Sequence, residues 1–178
     1  MISKRYASSL KIGLVIILFA LPFMSTRVLA QNVGNSTRMW QAGAFFGRGL
    51  PYGLSQNDEI FTIWGLRISP PIPGTQRGFF DGTYTSGAGS AVTWQELSVG
   101  LSLEEPVETL FLGMGIGFDA IRFTTDLLSG PHIASGYYLL GSAMTNITPS
   151  LLARFDLTMN YQPVPVYMVD LGLVYQFQ

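Results

Sequence analysis

Tyr167-Met168-Val169-Asp170-Leu171-Gly172-Leu173-Val174-Tyr175-Gln176-Phe177 alternates with a period of two. One face carries Tyr167, Val169, Leu171, Leu173, Tyr175 and Phe177, and the other carries Met168, Asp170, Gly172, Val174 and Gln176. The first set is wholly apolar or aromatic, while the second includes a carboxylate. A strand of this length suits a transmembrane β-barrel, in which lipid wets the outside and the lumen tolerates polar groups. The remaining sequence has to supply the partners that close such a barrel.

Residues 1 to 30 read as a secretory signal. Lys4, Arg5 and Lys11 form a positive start, residues 12 to 24 are almost continuously apolar, and Val28-Leu29-Ala30 offers a small-residue cleavage site. The apolar run is shorter than the ~20 residues of a spanning helix. Cleavage after Ala30 leaves 148 of the 178 residues, residues 31 to 178, as one domain. With no cysteine in the chain, neither a lipoprotein anchor nor a disulfide framework is available.

Charge narrows the function classes. Beyond residue 30 the chain keeps Arg38, Arg48, Arg67, Arg77, Arg122 and Arg154, no lysine and all eleven acids, a net charge of about −5. Such a balance argues against nucleic acid, whose phosphates require a basic surface. No later apolar run is long enough for a spanning helix, so within a membrane only a closed barrel would satisfy the backbone.

Turn signals divide the mature region into eight predicted strands: 37 to 47, 59 to 69, 76 to 85, 93 to 103, 108 to 122, 135 to 145, 150 to 161 and 166 to 177. An even number is what a bacterial single-chain barrel requires. Glu104-Glu105-Pro106 and Asn146-Ile147-Thr148-Pro149 read as compact turns, whereas 48 to 58, 86 to 92 and 123 to 134 read as longer loops. Short turns at one end and long loops at the other describe an antiparallel up-and-down barrel with both termini in the periplasm. Residues 69 to 75 are long for a periplasmic turn, and 162 to 165 short for an outer loop.

Parity repeats in other strands. Leu151, Ala153, Phe155, Leu157, Met159 and Tyr161 oppose Leu152, Arg154, Asp156, Thr158 and Asn160. Likewise Leu97, Val99, Leu101 and Leu103 oppose Glu96, Ser98, Gly100 and Ser102, and Leu112, Met114, Ile116 and Phe118 oppose Gly113, Gly115, Gly117 and Asp119. A secreted lipocalin-type barrel would turn its polar face outward. The charges on these strands are too few to solvate a whole exterior, so the polar face is assigned to the lumen. Residues 60 to 68 and 136 to 144 alternate poorly, and their registers stay open.

In its signal peptide, the Thr145 to Pro149 turn, the strand Leu151-Leu152-Ala153-Arg154-Phe155-Asp156-Leu157 and the closing Leu171 to Phe177, the chain resembles the small eight-stranded outer-membrane barrels of the OmpA/OmpX type. The resemblance implies an exported integral protein of the bacterial outer membrane, with membrane lipid and lipopolysaccharide as its surroundings. It also implies an assembly signal, read by the outer-membrane assembly machinery, at Leu171, Leu173, Tyr175 and Phe177. Gln178 departs from the family's aromatic last residue.

An eight-stranded barrel is just wide enough for side chains to fill. The inward candidates Arg67, Asp81, Glu96, Asp119, Arg154, Asp156 and Asp170 then form an ion-paired lumen, two arginines against five acids. Surplus buried carboxylates must find neutral donors, water or protons. The set reads as a structural plug, with a narrow cation path as its functional alternative and the outer loops carrying any surface interaction. A lipid A-modifying acyl hydrolase or transferase is the enzymatic alternative. It would have to draw on His132, the sole histidine, with Asp126 and Ser135, in what reads as an outer loop.

Other motifs are uninformative. Glu104, Glu105 and Glu108 read as a solvated turn rather than a metal site, and Gly87-Ala88-Gly89-Ser90 lacks the lysine of a phosphate loop. No cofactor motif is present, and the loops contain no recognisable ligand signature. Trp40, Trp64 and Trp94 fall where an interfacial aromatic belt would place them, with core packing as the alternative for Trp64.

Overall fold

The structure, a computed structural model, describes residues 39–52, 60–126, 128–161 and 165–178. The predicted signal segment and its cleavage site lie outside the described residues. Eight antiparallel strands close into a barrel in chain order: β1 Trp40–Pro51, β2 Phe61–Ser69, β3 Gly78–Ala88, β4 Val92–Val107, β5 Leu110–Thr125, β6 His132–Thr148, β7 Leu151–Tyr161 and β8 Val166–Phe177. The closing pair runs from Trp40 opposite Phe177 to Pro51 opposite Val166, so no sheet edge is left open. One end, called here the terminal end, holds the chain's Trp40 and Phe177 and the β2–β3, β4–β5 and β6–β7 connections. The opposite, loop end holds the other four connections.

Several connections are tighter than the sequence implies. Glu104-Glu105-Pro106 is not a turn: β4 continues to Val107, and the reversal falls at Glu108 and Thr109, with Glu108 at φ 56°. The ladder with β3 ends at Leu103 opposite Gly78 while that with β5 continues to Val107 opposite Leu110, so Pro106 lies where β4 has a strand on one side only. A missing N–H is tolerated there. The expected loop at 86 to 92 shrinks to residues 89 to 91, closed by Gly89 N–H donating to the Val92 carbonyl at 2.8 Å. The expected loop at 123 to 134 shrinks similarly, because Phe123, Thr124 and Thr125 prolong β5 and His132 begins β6. At 146 to 149 β6 runs on to Thr148 with a bulge between Asn146 and Thr148. Residues 70 to 77 are long because pairing persists past Pro70 and Pro71, with Pro71 bridging Phe79 and Ile72 N–H donating to the Gly78 carbonyl at 2.8 Å.

Side chains alternate between lumen and exterior along every strand. Outward residues on β4 run Leu97, Val99, Leu101 and Leu103, bounded by Gln95 toward the loop end and Glu105 toward the terminal end. The ten residue steps from Gln95 to Glu105, at ~3.3 Å each along a strand tilted ~40°, span about 25 Å, the height of a barrel's lipid-facing band. Phe118 is 72 % exposed and Leu171 66 %, in keeping with an exterior matched to hydrocarbon rather than water. Aromatics ring it: Trp40 and Tyr175 sit against Phe177 at the terminal end, Trp64 meets Tyr84 edge-on, and Tyr137 stacks on Tyr161. Trp94 does not join this ring, since its side chain is buried in the lumen.

Two sets of glycines make room inside. Phe45 is flanked across the ladder by Gly65 and Gly172, and Tyr138 lies over Gly117 and Gly100, which follow it in one register row. A Cβ at any of these four would collide with backbone or with the ring itself.

Candidate functional site: the lumen

From the loop end downward the interior is layered. Phe61, Ile63, Trp94, Ile121, Phe123 and Met168 pack into an apolar cluster at the loop end. Its rings form a chain: Phe61 to Trp94 at 5.9 Å, Trp94 to Phe123 at 6.1 Å and Phe123 to His132 at 5.9 Å between centroids. At the terminal end a smaller cluster unites Met144, Leu152 and Val174 with Phe111. Between the two lies the polar belt.

The belt is organised around Asp156, which is 1 % exposed. Arg67 donates to Asp156 Oδ2, and Arg154 donates through Nε to Oδ1 at 2.8 Å and Oδ2 at 3.0 Å. Arg154 also reaches Glu104 Oε1 at 3.4 Å, and Gln41 donates to Glu104 Oε2 at 3.0 Å. Arg67 is held in place by Thr83 Oγ1 at 3.4 Å and by the Phe45 ring, 5.7 Å from its guanidinium carbon. Because these groups are removed from water, their pairing offsets a desolvation cost that neither sign alone would survive.

The seven inward candidates do not all meet. Six are buried and the Arg67 side chain is 9 % exposed, but direct arginine–carboxylate contact joins only Arg67, Arg154 and Asp156 among them. Asp81 accepts from Ser69 Oγ at 2.5 Å. Glu96 accepts from the Trp94 indole N–H at 2.9 Å, and Asp119 from Asn160 at 3.0 Å, both nearer the loop-end cluster than the arginines. Asp170 faces Asp156 across the β7–β8 ladder, with one oxygen lacking a hydrogen-bond partner among the described residues. Neutral donors thus hold several of the surplus acids.

Glu104 and Gln41 escaped the sequence reading. Glu104 is buried in the belt, contrary to its expected place on a solvated turn; the even-numbered series Glu96, Ser98, Gly100 and Ser102 reaches it once β4 is extended past Pro106. His132 lies in a strand, not a loop, with its ring against Phe123. Three positions apart on β6, His132 and Ser135 point to opposite faces of the sheet, so the structure does not assemble the imagined triad. Among the described residues no group of three or more His, Cys, Asp or Glu is arranged to hold a metal ion.

No protein family's sequence profile matches this chain, and no curated protein matches it. Solved structures do. Neisserial surface protein A (NspA) superposes with a TM-score of 0.65 at 14 % identity, covering 78 % of this chain and 97 % of its own. The N-terminal β-barrel domain of Pseudomonas aeruginosa OprF superposes with a TM-score of 0.61 at 14 % identity, covering 79 % and 98 %. At such identities the likeness carries the fold. The chain has the closed eight-stranded antiparallel architecture of small outer-membrane β-barrels, the architecture that its resemblance to the OmpA/OmpX type implies.

Proposed function

We propose that the protein is an integral outer-membrane barrel with a sealed, structural lumen, and that contacts with other molecules are made at its loop end, on the cell surface. In this reading both termini face the periplasm, lipid and lipopolysaccharide surround the exterior, and the assembly machinery engages β8 through Leu171, Leu173, Tyr175 and Phe177. The observation that carries it is the layering of the interior: an ion-paired belt lies between two apolar clusters, inside an exterior about 25 Å tall and apolar. An ion entering from either end would have to cross packed side chains that offer it no ligands, a cost that no narrow path repays.

Reconstitution in planar bilayers tests the seal. The folded protein is expected to insert without unitary current steps at any applied voltage, and reproducible steps would remove the sealed-lumen reading in favour of a narrow cation path. Membrane residence is checked separately by heat-modifiable migration of outer-membrane fractions on unboiled gels.

A further inference from the structure

At the loop end of β3, β4 and β5 the outward face changes from apolar to polar. Ser86, Gln95 and Arg122 are neighbours in one register row, and Thr93 and Thr124 pair in the next row outward. With the strand residues between them they line a cavity of about 310 Å³. The Thr93 and Thr124 hydroxyls are 2.6 Å apart. Toward the membrane band the same strands present Tyr84, Leu97 and Ala120, all exposed.

Arg122 differs from its counterparts. Arg67, Arg77 and Arg154 each contact a carboxylate, and Arg48 donates to Thr62 Oγ1 at 2.9 Å. Among the described residues Arg122 has no ion pair and no side-chain hydrogen bond; exposed Asp126, one residue past the end of β5, does not pair with it, and toward the membrane band no acid faces outward on these strands until Glu105, at the terminal end. An unpaired guanidinium, ringed by one amide and three hydroxyls and standing directly above an apolar wall, is complementary to an anionic head joined to hydrocarbon.

We propose that this face binds the phosphorylated sugar headgroup of an outer-leaflet lipid, with Arg122 on the phosphate. Gln95, Ser86 and the two threonines meet sugar hydroxyls, and the acyl chains run over Leu97 and Ala120. The assignment rests on the membrane orientation given above, and adds to it a fixed lipid at one place on the barrel's circumference.

Native mass spectrometry of the folded, detergent-released barrel tests this with three probes: bis-phosphorylated lipid A, the same lipid A stripped of phosphate, and phosphatidylglycerol. The intact lipid A is expected to be retained about tenfold more than the stripped form, the worth of one charge-assisted contact. R122Q should abolish that preference, while R48Q, on β1 across the barrel, should keep it. Equal retention of intact and stripped lipid A, or an R122Q protein that still discriminates, would overturn the site. Phosphatidylglycerol held as well as lipid A would overturn the sugar assignment. Each preparation is first required to migrate as a heat-modifiable band from the outer-membrane fraction, so failure of the membrane reading is seen independently of headgroup preference.

Discussion

Asp156 and Asp170 face each other across β7 and β8, yet their surroundings give them opposite energetic signs. Both guanidiniums that enter the belt end on Asp156, so D156N leaves two buried cations short of a counter-charge. Removing one partner of a buried pair costs about 3–5 kcal/mol. D156N is therefore expected to lower the midpoint of denaturant unfolding by that amount, read as loss of the fast-migrating folded band. D170N removes a like charge opposite Asp156 and replaces an oxygen that has no hydrogen-bond partner with an amide donor. It should leave stability unchanged or raise it by up to about 1 kcal/mol. A D170N loss as large as that of D156N would show that Asp170 is a full member of the arginine network. At this scale parity in the sequence was enough to turn Arg154, Asp156 and Asp170 inward, because each sits in a cleanly alternating strand. It was not enough to pair them, since which carboxylate meets which arginine depends on the register between strands distant in sequence, such as β2 and β7.

Elements differ in how legible they were for a physical reason. β8 reads correctly to its ends because Asp170, Gly172 and Gln176 mark its inward face, between Met168 and Val174, while every outward position is apolar or aromatic, so alternation is visible. β2 and β6 blur because they run through the apolar loop-end cluster or past Tyr138 and Leu140: Phe61 and Ile63 point inward while Trp64 and Leu66 point outward, and both sets are hydrophobic. Proline misled at β4, where Pro106 is accommodated beside a single neighbouring strand. The glycine-bearing faces have a further consequence. β5 and β4 leave out a side chain at Gly117 and Gly100 so that Tyr138 from β6 can cross the lumen. G117V should prevent closure of the barrel and abolish the heat-modifiable band, because the added Cβ meets both the Val99 carbonyl and the tyrosine ring. Combining it with Y138G removes the ring and should restore part of the folded fraction. If the double variant folds no better than G117V alone, the backbone contact, not the ring, sets the requirement for glycine.

For the whole molecule, closure depends on the one pairing that joins the two ends of the chain. β8 meets β1 over twelve register pairs, from Phe177 opposite Trp40 to Val166 opposite Pro51. Phe177 projects outward at the terminal end, 6.3 Å from the Trp40 ring and 6.3 Å from Tyr175, and is 36 % exposed. Its contribution to the folded barrel is thus a half-covered aromatic contact at a frayable end, worth about 1 kcal/mol. A role as recognition signal predicts something larger in cells than that contact allows. F177A is expected to refold from denaturant into detergent micelles with a midpoint within about 1 kcal/mol of the native chain, and yet to accumulate several-fold less in outer-membrane fractions when exported. A parallel loss in both settings would assign Phe177 to closure of the seam alone. Equal yield in both would leave neither role, and Leu171, Leu173 and Tyr175 would then be the outward positions of β8 to vary.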